Sequence, residues 1–426
     1  MDKYEALKRY FGYDRFRGGQ EKLIDAILQG RDVFGIMPTG GGKSLCFQIP
    51  AVLTEGITLV ISPLISLMKD QVTTLNSAGI RAAYVNSTLT AKQLTLVYRN
   101  ISAGMYKIVY VAPERMLTDS FVALAQSLNI PLLAVDEAHC ISQWGQDFRP
   151  SYLKIVEFLS KLRERPVIAA FTATATPLVR EDIARILALR NPVCLLTGFD
   201  RPNLYFDVRT PNDKMSYLAA IMERLRGRSG IIYCSTRKGV ERVYDYLIAS
   251  GFPATRYHAG LPDDERRVNQ DDFLCDKSPV MVATNAFGMG IDKPNVNFVI
   301  HFNMPKSLEA YYQEAGRAGR NGERADCVML FSPDDVMTAE YFIEQVDQNN
   351  ELSEAERKIV KQQDLIRLDT IINYCMADDC LRGYILEYFG QKHDKRCRNC
   401  SNCLRGNKHA DVRSLGQNLC LAVELL

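Results

Sequence analysis

Three glycines, a lysine and a serine stand in a row at residues 40–44, within the stretch MPTGGGKSLCFQIP. The backbone N–H groups of such a glycine loop, at the start of a helix, can bind phosphate oxygens. Lys43 would then contact the β and γ oxygens of a nucleotide, and Ser44 would ligate Mg²⁺. The usual pattern has a further glycine at the position of Met37, so a flexible turn before a helix is the alternative.

A pair of acidic residues in the same half of the chain favours the phosphate site. The apolar run LLAV leads directly into Asp136 and Glu137. Such a pair at the end of a strand suits ATP hydrolysis, with Asp136 holding Mg²⁺ through water and Glu137 orienting the attacking water. An ordinary charged strand end is the alternative, but the glycine loop and the acid pair occur in the right order within one α/β unit.

Positive charge that could stabilise a γ-phosphate in the transition state occurs much later in the chain. Arg317 and Arg320 lie in the stretch YYQEAGRAGRNG, and their spacing predicts that they share one face of a helix. A solvated helix face is the alternative for this pair.

Four cysteines near the C-terminal end have the spacing of a metal site: Cys380, Cys397, Cys400 and Cys403. Two overlapping C-x2-C steps and a distant fourth thiolate can enclose one tetrahedral zinc ion. Four protein ligands leave no open position, so this zinc is expected to be structural. The surrounding segment is basic and could form a patch for a DNA backbone. Other cysteines lack such spacing and are expected in the core, namely Cys46, Cys194, Cys234 and Cys327.

The elements that must position these residues follow a regular pattern. From residue 32 to about 331, short β-rich apolar runs alternate with stretches of helical length, which is typical of parallel strands joined by crossover helices. The pattern occurs twice, with a junction near TGFDRPNLYF, and only helical patterns follow Ser332. We therefore expect an α/β protein with two parallel-sheet lobes, at 1–204 and 205–338, and a small helical zinc-binding domain at 339–407.

Length and composition exclude several classes of protein. The 426 residues are 47% hydrophobic and 24% charged, which is ordinary for a globular protein. The net charge of +2 limits any nucleic-acid surface to a local patch. No apolar run reaches the roughly 18 residues of a membrane span, and the charged N-terminus is unlike a signal peptide. A cytoplasmic protein with reduced thiols is expected, associated with the nucleoid if the source is bacterial.

Five motifs in order along the chain resemble a known family: MPTGGGKS, DEAH, FTATAT, ATNAFGMGIDKPNV and QEAGRAGRNG. They are similar to those of superfamily 2 helicases and, more closely, to those of the RecQ family of DNA helicases. The resemblance extends from about residue 4 to the cysteine cluster at 403. In that family methionine is common at the first loop position, so Met37 counts for the resemblance. The two lobes are accordingly expected to be RecA-like.

The resemblance implies roles for further residues in ATP binding. Tyr13 and Arg17 would sandwich the adenine, and Gln20 would read its edge, because a glutamine amide both donates and accepts hydrogen bonds. The second lobe would close over the γ-phosphate with Gln313, with Arg320 as the arginine finger and with Arg317 as a supporting contact. The phosphate loop itself would bind the nucleotide with Met37, Pro38, Thr39, Gly40, Gly41, Gly42, Lys43 and Ser44.

The resemblance also implies DNA contacts. Ser62, Ser235 and Thr284 follow strand ends, where small hydroxyl residues suit phosphate contacts along a single strand. Trp144, the only tryptophan, stands with Phe148 and Arg149 in a segment that matches an aromatic-rich loop of the family. Aromatic rings there could stack on bases and report DNA to the ATP site. A buried anchor is the alternative for Trp144.

The sequence thus predicts an ATP-dependent DNA helicase that uses ATP, Mg²⁺ and a structural Zn²⁺. It is expected to act as a monomer on single-stranded and partly duplex DNA, moving 3′ to 5′ in recombination or repair. One alternative is an RNA helicase, against which the zinc module and QWGQDFRP count. Another is a DNA-binding zinc scaffold with a decayed ATPase, against which the presence of Glu137 and the arginines counts. Residues 408–426 are expected to begin a winged-helix domain.

Overall fold

A seven-stranded parallel sheet forms the first lobe, as the alternating pattern predicts. The computed structural model describes residues 1–38, 40–288, 293–345 and 353–405. The strands of this sheet are β1 (Val33–Ile36), β2 (Thr58–Ile61), β3 (Ala82–Val85), β4 (Ile108–Val111), β5 (Leu132–Val135), β6 (Val167–Thr172) and β7 (Val193–Leu196). They are arranged in the order β3-β4-β2-β5-β6-β1-β7.

The first sheet is buried on both faces. Phe34 and Leu59 belong to one hydrophobic cluster, whereas their neighbours Val33 and Val60 belong to another. Burial on both faces explains why the strands read as near-continuous apolar runs. The helices are α1 (Lys3–Ala6) with a π-helical continuation (Leu7–Phe11), α2 (Gln20–Leu28), α3 (Lys43–Leu53), α4 (Ile65–Ser77), α5 (Ala91–Ser102), α6 (Asp119–Gln126), α7 (Pro150–Lys161) and α8 (Pro177–Ile186). Two short 3₁₀ helices span Pro113–Arg115 and Ala138–Ile141.

A six-stranded parallel sheet forms the second lobe. Its strands are β8 (Leu204–Arg209), β9 (Gly230–Tyr233), β10 (Ala254–Tyr257), β11 (Val280–Ala283), β12 (Phe298–His301) and β13 (Ala325–Leu330). The sheet order is β10-β11-β9-β12-β13-β8. The helices of this lobe are α9 (Lys214–Arg224), α10 (Arg237–Ala249), α11 (Asp263–Leu274) and α12 (Leu308–Ala315). Both lobes therefore have the expected RecA-like arrangement.

A helical module packs on the edge of the second sheet. It consists of α13 (Pro333–Glu344), α14 (Glu354–Met376), α15 (Leu381–Tyr388) and α16 (Ser401–Arg405). Cys400 forms a parallel bridge with Phe206 of β8. The Arg382 Nη2 donates to the carbonyl oxygens of Leu204, at 2.6 Å, and Pro202, at 3.1 Å. Because β8 is an edge strand, the module covers backbone groups that would otherwise face solvent.

The domain boundaries can be placed on these elements. The predicted boundary at 204/205 falls at the first residue of β8, and the one at 338/339 falls inside α13. We propose boundaries before Leu204 and before Pro333, because each then leaves a strand or helix intact. The predicted winged-helix start at 408–426 lies outside the described residues. None of the helices in the described ranges is long and apolar enough to cross a bilayer.

The cysteines expected in the core differ in burial. Cys46, Cys234 and Cys327 are buried. Cys194 is exposed, so its prediction is wrong. It lies in β7, which is an edge strand of the first sheet, and an edge strand is covered less completely than the central strands.

Candidate functional site

The phosphate loop and the acid pair lie at the same edge of the first sheet. In the sheet, β6 lies between β1 and β5, with Ile36 opposite Thr172 and Val135 opposite Ala170. The carboxyl ends of parallel strands meet at one edge, which is where α/β sheets bind ligands. The segments that follow β1 and β5 are therefore brought to the two sides of the end of β6.

The phosphate loop requires its glycines. Gly40 and Gly42 have φ values of 78° and 77°, in the left-handed region that favours glycine. A Cβ on Gly41 would lie 2.8 Å from the Pro38 carbonyl oxygen, and one on Gly42 would lie 2.2 Å from the Gln20 Nε2. The chain thus forms a bare backbone turn at the start of α3, which fits a phosphate group.

The remaining loop residues take different positions. The Lys43 Nζ donates to the Met37 carbonyl oxygen at 3.3 Å, so the lysine lies back along the loop. The Met37 side chain is buried in the core, and only its backbone faces the loop. Ser44 is half-buried in the first turn of α3. Thr39 lies outside the described residues. The nucleotide contacts of these residues stay predictions.

The three residues predicted to hold adenine lie close to the loop. The Gln20 side-chain amide accepts from the Arg17 backbone N–H at 2.7 Å and donates to the carbonyls of Gly41 and Gly42, at 3.3 and 3.1 Å. The Arg17 guanidinium lies 5.9 Å from the Tyr13 ring centre. A base sandwiched between the two needs about 7 Å, twice a normal contact distance, so the pair must open slightly. Both side chains are exposed and can do so.

The pKa values of the two acids are shifted in opposite directions. Burial, followed by repulsion from Glu137, raises the pKa of Asp136 to about 7. Burial also works to raise the pKa of Glu137, but the hydrogen bond from His139 and the charge of Lys43 outweigh it and lower the pKa to about 2. Arg317 from the second lobe acts in the same direction as Lys43. Glu137 is therefore held ionised, which is the form that its predicted role requires.

The backbone around the pair is fixed by specific contacts. Glu137 has a φ of 47°, in the left-handed region that non-glycine residues avoid, and such strain is concentrated at functional sites. The Tyr152 hydroxyl donates to the Asp136 carbonyl oxygen at 2.9 Å. The His139 Nδ1 lies 2.9 Å from the Thr172 Oγ1 and 3.3 Å from the Glu137 Oε2. The histidine thus links the acid pair to the end of β6.

Of the three second-lobe residues predicted at this site, Gln313 and Arg320 contact the first lobe. The Gln313 Nε2 donates to the Thr174 Oγ1 at 3.0 Å. A Cβ on Gly40 would lie 3.3 Å from the Arg320 Cδ, so the Arg320 side chain packs against the phosphate loop. Arg317 is buried and donates to the Gly288 carbonyl oxygen. Of the two arginines, Arg320 lies at the loop itself.

The expected helical placement of the two arginines is wrong. α12 ends at Ala315, and both arginines follow it in a turn. The Arg317 N–H donates to the Glu314 carbonyl oxygen at 3.1 Å, which is a turn contact. Gly319, between the arginines, has a φ of 58°, which a helix does not allow. The turn carries Arg320 to the phosphate loop of the first lobe.

The four predicted cysteines converge on one point. The Sγ atoms of Cys380, Cys397, Cys400 and Cys403 all lie within 4.8 Å of one another. Four thiolates around one zinc ion at about 2.3 Å would be about 3.8 Å apart, so the cluster fits zinc with a small contraction. Cys380 is the N-cap residue directly before α15, and its Sγ accepts from the Gly383 N–H at 3.3 Å and the Cys397 N–H at 3.4 Å.

Backbone donors around the cluster favour thiolates. Hydrogen bonds among the thiols themselves lower the pKa of Cys380 and raise the pKa of Cys397 and of Cys400. Backbone N–H groups also point at two other sulfurs, from Asn399 to the Cys397 Sγ at 3.3 Å and from Cys403 to the Cys400 Sγ at 3.5 Å. Such donors stabilise negative sulfur, which is the form that binds zinc.

The segment that holds Trp144, Gln143–Arg149, forms a tight loop after the acid pair; we call it the aromatic loop. Trp144 is 43% exposed, so it is not a buried anchor, and Phe148 and Arg149 are half-buried. The Arg149 Nη1 donates to the Pro63 carbonyl oxygen at 2.9 Å, which ties the loop to the segment after β2. A Cβ on Gly145 would lie 2.1 Å from the His139 carbonyl oxygen. The loop therefore packs directly on the backbone beside Glu137.

The three hydroxyl residues predicted to contact DNA differ in accessibility. Ser235 is exposed, and its backbone N–H donates to the Asn303 Oδ1 at 3.2 Å. Ser62 and Thr284 are buried, with exposures of 0% and 8%. In this arrangement the Ser62 hydroxyl offers no surface to DNA, and Thr284 offers little. All three contacts stay predictions.

Comparisons with known proteins identify the family. Residues 17–182 match the DEAD/DEAH box helicase family, 213–322 the helicase conserved C-terminal domain and 333–404 the RecQ zinc-binding domain. The chain is 48% identical over 407 residues to the ATP-dependent DNA helicase RecQ of Bacillus subtilis, covering 95% of this chain and 67% of that protein. The chain belongs to the RecQ helicase family.

Two further similarities bear on this RecQ-family chain. It is 39% identical over 406 residues to the putative ATP-dependent RNA helicase R290 of Acanthamoeba polyphaga mimivirus, covering 95% of this chain and 72% of that protein. The solved structure of the DUF1998 helicase MrfA bound to DNA and AMPPNP has a TM-score of 0.66 and 17% identity, covering 93% of this chain and 58% of that one. The structural similarity supports the fold. The chain spans about two thirds of the length of the bacterial RecQ proteins that it matches.

Sequence reasoning missed one residue of the RecQ zinc module. Arg367, on α14, donates from its Nη2 to the Gly145 carbonyl oxygen at 2.7 Å. A signal was present in the sequence, because Arg367 shares a helical face with the buried Ile371 and Tyr374. An arginine within an apolar stripe indicates a specific buried acceptor.

Proposed function

We propose that this chain is the catalytic core of an ATP-dependent DNA helicase that translocates on single-stranded DNA. The observation that carries the proposal is the cleft between the lobes. There the phosphate loop and acid pair of the first lobe face Gln313, Arg317 and Arg320 of the second. A site shared by two lobes couples ATP hydrolysis to their relative movement, which is what translocation requires.

Each residue has a distinct part in the proposed hydrolysis. Lys43 would leave the Met37 carbonyl and bind the β- and γ-phosphate oxygens. Glu137, held ionised, would orient the attacking water. Arg320, already against the loop, would stabilise charge on the γ-phosphate, with Arg317 in support. A Mg²⁺ ion held by Ser44 and Asp136 would supply neutralisation of the charge on the β and γ oxygens.

The zinc module has a structural part in the proposal. Four thiolates on one Zn²⁺ close the coordination sphere, so the ion would supply folding free energy rather than catalysis. Cys400 and Arg382 attach the module to the edge strand of the second lobe. We propose that the module keeps this lobe intact and that its basic surface adds a contact to the DNA backbone.

The direction of movement and the biological role are proposals from the family resemblance. We propose movement from 3′ to 5′ and a role in recombination or repair. RNA is the alternative substrate, and the relative that is named as a putative RNA helicase favours including it in any test. The acid pair and the arginines argue against a scaffold without ATPase activity, because the sequence retains all of them.

The test compares ATP turnover with single-stranded DNA, with single-stranded RNA of the same sequence and without nucleic acid. We expect strong stimulation by DNA and separation of a duplex with a 3′ overhang but not of one with a 5′ overhang. Lys43→Ala should abolish turnover, and Glu137→Gln should still bind ATP without hydrolysing it. Lys92→Ala, an exposed lysine in the same lobe, is the control. Wild-type turnover in either site variant, or equal stimulation by RNA, would contradict the proposal.

A further inference from the structure

The aromatic loop is held by the zinc module through its backbone. Arg367 is 7% exposed, and its Nη2 donates to the carbonyl oxygens of Gly145, at 2.7 Å, and Gln143, at 3.3 Å. Its Nη1 donates to the Asp364 carboxylate at 2.6 Å, which fixes the guanidinium on α14. The two carbonyl groups belong to the residues before and after Trp144. Arg367 therefore fixes the backbone on both sides of the exposed indole while leaving the ring itself accessible.

The second lobe adds another contact to the same segment. The Nζ of the exposed Lys306 donates to the Gln146 carbonyl oxygen at 3.3 Å. The first lobe supplies the loop, and the other two units of the protein hold it. The carbonyl groups of residues 143, 145 and 146 thus all accept hydrogen bonds from side chains outside the first lobe.

A movement of this backbone would reach the acid pair. The Gly145 N–H donates to the Ser142 carbonyl oxygen at 2.9 Å, and the Ser142 N–H donates to the His139 carbonyl oxygen at 3.2 Å. Gly145 also packs against the same His139 carbonyl, with no room for a side chain between them. The His139 Nδ1 in turn lies 3.3 Å from the Glu137 Oε2, which is an ion-pair distance. Consecutive contacts therefore lead from Arg367 to the residue proposed to orient water.

We propose that Arg367 is a positioning residue that couples DNA binding to ATP hydrolysis. The inference rests on the proposed function, because it needs an ATPase that DNA stimulates. Arg367 gives the aromatic loop one defined position, so that the displacement of Trp144 by a stacked base is transmitted to His139 and Glu137. Without the guanidinium the carbonyl groups on both sides of Trp144 lose their side-chain donor, and stacking on the indole is transmitted to the acid pair less effectively.

The experiment measures ATP turnover of the whole chain, with and without oligodeoxythymidylate, in Arg367→Ala and Arg367→Lys. Loss of a charge-assisted hydrogen bond to a buried carbonyl should lower the ratio of DNA-stimulated to DNA-free turnover about tenfold in Arg367→Ala. Arg367→Lys should recover part of the ratio, because an ammonium can donate to the Gly145 carbonyl alone. Zinc content and ATP affinity should match those of the wild type.

The matched control is Arg382→Ala, which removes another buried arginine of the same module. Arg382 donates to carbonyl groups of the second lobe, at Pro202 and Leu204, and not to the aromatic loop. We expect this variant to melt at a lower temperature with an unchanged stimulation ratio. Lys306→Ala changes only a surface lysine and should lower the ratio slightly, which gives a second test if Arg367→Ala does not fold.

The outcomes separate the inference from the proposed function. A wild type that DNA does not stimulate contradicts the proposed function. The inference alone is overturned if DNA stimulates the wild type and Arg367→Ala has the same ratio of DNA-stimulated to DNA-free turnover. It is also overturned if Arg367→Ala and Arg382→Ala lower this ratio equally. An unchanged ratio in both Arg367→Lys and Lys306→Ala overturns it too if Arg367→Ala does not fold.

Discussion

Replacing Trp144 by alanine tests whether the aromatic loop senses DNA. The indole is 43% exposed, and this exposed part is the area that a stacked base can cover. A tryptophan side chain of about 150–250 Å² then offers roughly 65–110 Å², which is worth about 1.5–3 kcal/mol at about 25 cal/mol per Å². This agrees with about 1–3 kcal/mol per stacked base. Losing it should change the equilibrium between two loop positions by roughly 10- to 100-fold.

The assay is ATP turnover against the concentration of single-stranded DNA, together with ATP affinity and melting temperature. We expect Trp144→Ala to keep ATP binding and DNA-free turnover. DNA stimulation should be lost or should need at least about tenfold more DNA, and unwinding should fall with it. Tyr341→Ala is the matched control, because Tyr341 is an exposed aromatic residue on α13 outside the aromatic loop.

A structural role for Trp144 gives a different result. If the tryptophan serves mainly to anchor the loop, the variant should melt at a lower temperature and lose turnover equally with and without DNA. That result, or full DNA stimulation in the variant, would refute the reasoning.

Three other perturbations test the zinc and nucleotide sites. Cys397→Ser should lose zinc and destabilise the helical module by several kcal/mol, since a closed zinc site contributes folding free energy. Metal analysis and calorimetry measure both effects, and a stable variant that keeps its zinc would contradict the prediction. Gly42→Ala should lower ATP affinity at least about tenfold, because the left-handed backbone costs an alanine about 1–2 kcal/mol and the new Cβ would meet Gln20. Titration calorimetry measures the affinity, and an unchanged affinity would rule out a phosphate loop. Because the pKa of Asp136 is raised to about 7 from 3.8, its contribution to stability is present at low pH and is lost as the pH rises through 7. Asp136→Asn should therefore melt at a higher temperature than the wild type at pH 8, and its free energy of unfolding should be larger by at most about 1.4 kcal/mol per unit of pKa shift. This gain in stability should disappear towards pH 4. An equal difference in melting temperature at both pH values would contradict the raised pKa.

Much of the fold could be predicted from the sequence because it depends on local patterns. Apolar runs separated by helical segments indicate parallel strands and crossover helices wherever they occur. The glycine loop follows β1 and the acid pair follows β5, and both facts can be read within a few residues. The zinc cluster is also largely local, because three of its cysteines lie between residues 397 and 403 and their spacing reveals them.

Only the tertiary structure decided which distant residues meet. Sheet order brings the ends of β1 and β5 to the two sides of β6, and no local pattern specifies that order. The turn after α12 carries Arg320 to Gly40, although the spacing of the arginines suggested a shared helical face. Likewise, no residue near Arg367 in the sequence indicates that its acceptor is the Gly145 carbonyl oxygen. Hydrophobic periodicity and turn chemistry act over a few residues, whereas these contacts depend on how whole lobes pack, and packing is settled by the chain as a whole.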